Sequence, residues 1–216
     1  MIMLGLMLKA SMRYDEHECE SEHHLQLFDS SKSLAETVAA YLFAAFRRGE
    51  PLLVVATPEH RELLTRKLED AGINIREAAM ASRLVILDAA QTLDKFMRQD
   101  VPSRIAFDEV VGTLVARLAD QGRVCIYGEM VDVLAARGHY KAAYQLEVLW
   151  NALGKRETFT LFCGYASGHF GDPKTANVLG QICEAHSRVH RKKDDLLAEF
   201  LLEQQGARDT RTSSRS

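Results

Sequence analysis

Val124-Cys125-Ile126-Tyr127-Gly128-Glu129-Met130 is an apolar run that stops at a glycine and a carboxylate. The turn-prone pair Gln121-Gly122 precedes it and helical periodicity follows it. A run so short and so bounded predicts a strand buried on both faces, as in a parallel sheet. Glu129 then stands at the carboxyl end of that strand. In open α/β sheets ligands bind in the crevice beyond the carboxyl ends, so a charge there is placed for recognition or chemistry. The same position also suits a residue that only caps or pins the next helix.

On the amino-terminal side, His24–Phe28, Leu52–Ala56 and Leu84–Leu87 with Asp88 at its end read as further strands. Between the first two lies a helix with Leu34, Val38, Tyr41, Leu42, Ala45 and Phe46 on one face. Thr57-Pro58-Glu59 starts the next helix, with Pro58 in its first turn and Thr57 as cap, and Gly72 ends it. Helices are expected around Thr92 to Arg98 and from Ser103 to Asp120; the second carries the stripe Phe107, Val110, Val111, Leu114, Val115 and Leu118. On the carboxyl side come a short helix Val131–Ala136, a helix Tyr140–Leu153, a strand Phe159–Cys163 and a loop Ala166–Lys174. A last helix, from Thr175, is read as running on to Gln204. This alternation predicts an α/β, three-layer fold whose mostly parallel central sheet has about five or more strands and helices on both faces. One domain is expected over residues 23–190, with a flexible tail at 1–22, a helical extension at 191–205 and a polar, disordered end at 206–216.

The formal net charge of −3 in 216 residues gives no basic field for a nucleic acid backbone. No run is long enough to span a bilayer, and Met1 to Leu8 lacks the basic start and cleavage site of a secretory signal. Cys19, Cys125, Cys163 and Cys183 are widely spaced, two of them within strand-like runs, which fits reduced thiols in a cytoplasmic protein.

Aligning the strand ends brings Asp29, Lys32, Ser33, Thr57, His60, Asp88, Tyr127, Glu129 and Tyr165 to one rim of one sheet. Glu147 interrupts an apolar helical stripe, with Asn151 four residues on, so the two can share a face and hydrogen-bond. A carboxylate beside a core stripe needs a partner. Asp29-Ser30-Ser31-Lys32-Ser33 follows a strand and precedes a helix like the phosphate-binding loop G-x-x-x-x-G-K-[S/T], but Gln26 and Ser31 stand where its glycines would be. That argues against nucleotide hydrolysis, although a helix start can still hold an anion. Cys183, His186 and His190 fall at i, i+3 and i+7, a spacing a metal can use; solvated or core histidines are the plainer reading, and no metal is expected there. His17, Cys19, His23 and His24 are read with the same caution. Cys163, inside a strand, reads as packing and not as a nucleophile.

His24-Leu25 to Phe28, Arg48-Gly49-Glu50, Ala56-Thr57-Pro58-Glu59-His60, Leu87-Asp88-Ala89 and Tyr127-Gly128-Glu129-Met130-Val131 carry a family likeness. So do Leu146-Glu147-Val148-Leu149-Trp150-Asn151, Phe162-Cys163-Gly164-Tyr165 and Ile182-Cys183-Glu184-Ala185-His186-Ser187. In order from His23 to Val189, the chain resembles the methanogen/methylotroph DcmR sensory domain, MEDS. The resemblance implies a fold related to RecA/KaiC-like ATPases without a working phosphate loop, and a sensory, ligand-binding role beside signalling segments. No kinase or helix-turn-helix pattern accompanies it here, so output through a protein contact is expected.

The combined expectation is a non-enzymatic sensor of a small molecule, without cofactor or metal. The ligand would be bound by Asp29, Lys32, Ser33, Thr57, His60, Asp88, Tyr127, Glu129, Glu147, Asn151 and Tyr165. The output partner would be a signalling protein such as a histidine kinase or transcription regulator, with no direct nucleic acid or membrane contact. A homodimer is also expected, with Leu197, Phe200 and Leu201 as its apolar stripe and Arg191-Lys192-Lys193-Asp194-Asp195 opposing unlike charges. The rivals are a nucleotide-binding or ATPase-like protein, with Lys32 and Ser33 on phosphate and Glu129 near water or magnesium, and a scaffold that binds only protein.

Overall fold

Strands that are apolar on both faces need a covering layer on each side, and the computed structural model supplies both. It describes residues 21–172 and 175–190; the expectations for residues 1–20, the helical extension, the polar end and the dimer stripe lie outside them, while Glu22, expected to close a flexible tail, already belongs to the first strand. Six strands form one sheet: β1 (Glu22–Phe28), β2 (Leu52–Ala56), β3 (Leu84–Asp88), β6 (Val124–Gly128), β7 (Phe159–Ala166) and β8 (Arg188–His190), in the order β3-β2-β6-β7-β1-β8. Every pairing in it is parallel.

Side-chain alternation divides the core between two faces. Leu52, Val54, Cys125, Tyr127 and Phe162 pack under α1 (Ser31–Arg47), α2 (Pro58–Asp70) and α3 (Ile75–Met80). Leu25, Leu27, Leu53, Val55, Ile126, Leu161, Cys163 and Tyr165 meet the later helices: α4 (Ala89–Phe96), α5 (Arg104–Phe107), α6 (Thr113–Ala119), α7 (Met130–Ala136), α8 (Tyr140–Gly154) and α9 (Ala176–Glu184). The chain thus covers one face before β3 and the other after it. At β2 and β6, neighbours in the sheet, the onward connections leave in opposite directions, β2 toward β3 and β6 toward β7. That pair of carboxyl ends is the topological switch point.

Three expectations are corrected. The helix expected to reach Arg98 stops at Phe96, and β4 (Met97–Arg98) turns back on β5 (Val101–Pro102) with Gln99 and Asp100 at φ 48° and 64°. Two successive left-handed residues make a tight hairpin turn, and Pro102 has no N–H with which to continue a helix. The stripe from Phe107 to Leu118 is not one regular helix: a π-helical turn over Asp108–Gly112 widens it between α5 and α6. The last helix ends at Glu184 instead of running on to Gln204. The chain is then caught by β1, the Ser187 N–H and hydroxyl both donating to the His23 carbonyl at 2.8 Å, and β8 continues the pairing. His190 therefore lies on a strand, and the i, i+3, i+7 helical triplet with Cys183 and His186 does not exist. Among the described residues, no helix is long and apolar enough to cross a membrane. Cys125, Cys163 and Cys183 are free and buried.

Candidate functional site

The switch point is built from the two strands that flank it. β6 ends in Gly128, and Glu129 turns the chain into α7 with its side chain almost fully buried. One carboxylate oxygen, Oε2, accepts the Thr57 N–H at 2.7 Å. The other accepts from His60 Nδ1 at 2.6 Å and from the Tyr127 hydroxyl at 2.6 Å. Thr57 therefore caps α2 by position, without the side-chain hydrogen bond its type predicts; the backbone N–H of its own residue goes to Glu129. A buried carboxylate is stable only when its lone pairs are met, and three donors do that here.

His60 lies against the Phe28 ring at 5.7 Å between centroids, and its Nε2 is buried with no hydrogen-bond partner among the described residues. Burial works against a charged imidazole, but the hydrogen bond and charge of Glu129, with Glu59 and Asp132 further off, outweigh it and raise its pKa above the ordinary value. Tyr127 is driven the other way from ionisation: burial first, then the Glu129 charge, holds its phenol protonated far into alkali. Gly164 on the neighbouring strand leaves room for it, since a Cβ there would come within 2.9 Å of the Tyr127 hydroxyl.

The rest of the predicted rim divides by role. Asp88 caps α4 through the Gln91 N–H at 2.9 Å and pairs with Arg61 at 2.9 Å. Asp29 accepts from the Ser167 hydroxyl, tying the β1–α1 turn to the end of β7. Only Asp29 and Ser30 separate β1 from α1; Ser30 caps the helix by accepting the Ser33 N–H at 3.2 Å, and Lys32 is exposed in the first turn. The phosphate-loop positions of Gln26 and Ser31 thus fall inside a strand and a helix. Sequence reasoning missed Asp132, in the first turn of α7, which accepts the Ala166 N–H at 2.8 Å and faces His169 Nε2 at 3.2 Å. Its pKa is raised, chiefly by burial.

Glu147, Asn151 and Tyr165 do not join this rim. They meet on the opposite face, between β1, β7, α8 and α9, with three residues that were not in the expected set: His23, Cys163 and His186. Glu147 is completely buried and accepts from the Tyr165 hydroxyl at 2.7 Å. Its second oxygen lies 3.2 Å from His23 Nε2 and 3.6 Å from the Cys163 Sγ. His186 Nε2 is 3.5 Å from the first oxygen. Asn151 does share a face with Glu147, but reaches it through His23, whose Nδ1 stands 2.8 Å from the Asn151 Oδ1. Burial pushes the His186 imidazole down to about 4 and so keeps it neutral at neutral pH. Burial alone would raise the Glu147 carboxyl; the nearby His186 and His23 outweigh it and hold the pKa below its usual value. Beside the pair His23 and His186 opens a cleft of about 680 Å³, lined also by Asn151, Lys155 and Ser187. The signal for this cluster lay in the sequence as a histidine two residues ahead of the first apolar strand pair and another just past α9, but nothing local says that the two meet.

No curated protein matches the chain. Among solved structures it is similar to the crystal structure of a KaiC-like protein from the hyperthermophilic archaeon Pyrococcus horikoshii OT3, at 17% identity and a TM-score of 0.48. The similarity covers 69% of this chain and 65% of that one. A family model described as the MEthanogen/methylotroph, DcmR Sensory domain, MEDS, matches residues 22–186, which takes in both buried carboxylates and all but the last strand of the sheet. The chain belongs to the MEDS sensory-domain family.

Proposed function

We propose that this sensory domain is not an enzyme, takes a small molecule at the switch point between β2 and β6, and passes its state to another protein by contact. The observation that carries the reading is His60. Its Nδ1 is committed to Glu129, while Nε2 is buried without a partner at the place where open α/β sheets bind ligands. When protonated, an imidazole held by a carboxylate presents Nε2–H to an acceptor, and the ligand class this reading takes is a small molecule carrying an anionic or carbonyl oxygen. The two-residue β1–α1 turn speaks against phosphate transfer, because Ser33 N–H is spent on Ser30 and no glycines free the backbone to wrap phosphates. The output partner in this reading is a signalling protein such as a histidine kinase or a transcription regulator, and a second copy of the chain is the other candidate.

A thermal-shift screen against small carboxylates, nucleotides and cyclic dinucleotides tests it. A ligand at a hundred times its Kd adds about 2.7 kcal/mol. That stabilisation is expected to vanish in folded His60→Ala. A hit whose effect survives this substitution puts the ligand elsewhere. Magnesium-dependent ATP turnover that Lys32→Ala abolishes would overturn the non-enzymatic reading.

A further inference from the structure

We infer that His23, Glu147, Cys163 and His186 bind one divalent transition-metal ion of the zinc class. One ligand atom from each, all four buried, lies within 4.8 Å of the other three. His23 Nε2 is 3.3 Å from the Cys163 Sγ and 3.2 Å from Glu147; the Cys163 Sγ and His186 Nε2 are 3.6 and 3.5 Å from the same carboxylate. A tetrahedral zinc with bonds of about 2.0–2.3 Å to nitrogen, oxygen and sulfur has ligand-to-ligand edges of about 3.3–3.6 Å. His23 Nε2, Cys163 Sγ and the Glu147 Oε2 already stand at three such corners, and His186 Nε2, 3.5 Å from the other carboxylate oxygen, lies within 4.8 Å of them as the fourth.

The outer hydrogen bonds set the ring nitrogens for it. His186 Nδ1 lies 2.6 Å from the Ile182 carbonyl, which only accepts, so Nδ1 carries the proton and Nε2 turns a lone pair inward. His23 Nδ1 lies 2.8 Å from the Asn151 Oδ1, and Asn151 is fixed in that orientation because its Nδ2 donates to the Ala185 carbonyl at 2.8 Å. Two inward lone pairs then face a carboxylate across 3.2–3.5 Å, and His186 Nε2 has no hydrogen-bond partner among the described residues. When both rings are neutral, a cation takes these two lone pairs together with the Glu147 charge, and histidine ligands oriented by outer carbonyl oxygens are the usual arrangement around zinc. On binding, Cys163 gives its thiol proton to solvent and ligates as the thiolate. The cleft beside His23 and His186 is the entry path. This site lies on the opposite face of the sheet from His60 and stands whether or not a ligand binds there.

The test uses the full chain, stripped with a chelator and titrated with cobalt(II). One equivalent is expected, with the visible absorption of four-coordinate cobalt and a thiolate-to-cobalt charge-transfer band. Cys163→Ser should abolish the charge-transfer band, and His186→Ala should abolish stoichiometric binding, while Cys183→Ser leaves both intact. Where a ligand substitution costs the fold, Asn151→Ala removes no ligand, only the outer hydrogen bonds to His23 and to the Ala185 carbonyl, and should weaken binding about 10–100-fold at unchanged stoichiometry. No stoichiometric uptake by the folded stripped protein overturns the site, as does a charge-transfer band that survives Cys163→Ser or an affinity indifferent to Asn151→Ala.

Discussion

Glu129 is held by three donors, and each loses its acceptor if the carboxylate goes. Glu129→Ala strands the buried Tyr127 hydroxyl and His60, and should cost about 3–5 kcal/mol in denaturant unfolding, the range for breaking a buried pair from one side. The pH dependence follows from His60. Its folded pKa lies above 6.5, so the native state holds the proton more tightly than the unfolded chain does. The resulting stability is complete below the unfolded value and is lost as pH rises through the folded one. Glu129, Tyr127, Glu59 and Asp132 are the groups that face it. Measured against His60→Gln, the stability advantage of the native protein should therefore shrink from mildly acid to alkaline pH; a gap that widens would contradict the assignment. At Gly164 the constraint is steric: a methyl group 2.9 Å from the Tyr127 hydroxyl has to move a ring that Glu129 holds. Gly164→Ala should lower stability by about 1–3 kcal/mol, read in the same unfolding experiment.

At the scale of elements, what could be read from the sequence was whatever its own composition dictates. Leu52–Ala56, Val124–Gly128 and Phe159–Cys163 are apolar enough to be strands in any context, and they are. Arg188-Val189-His190 is not: it carries no apolar run, and becomes a strand only because β1 offers an unpaired edge beside it. The rim around Glu129 was legible because strand ends converge by topology. The Glu147 cluster was half legible: the need for a partner followed from burial, but its identity depended on where β1 and the end of α9 meet. Ending the chain after Ser187 should test how much β8 contributes. Removing it bares the outer edge of β1, and the expected result is a lower melting temperature with a concentration-dependent tendency to associate, seen by scattering. The start of α1 gives a smaller effect, since Ser30→Ala removes one exposed cap and should cost about 1 kcal/mol.

For the molecule as a whole, the order of the sheet is not the order of the chain. β1 pairs with β7 on one side, Glu22 opposite Thr160, and with β8 on the other, His24 opposite Arg188. β2 and β3, by contrast, are separated only by α2 and α3 and pair directly. Contacts between distant residues form late, because the loop must be closed before any contact rewards it. During synthesis Leu25 and Leu27 thus emerge early, and their partners come only with the last strands. Pulse-labelled hydrogen exchange during refolding should find the β2 and β3 amides protected first and those of β1 in the final phase. For most of its assembly, then, the growing chain carries an apolar strand whose sheet partners have not yet been made.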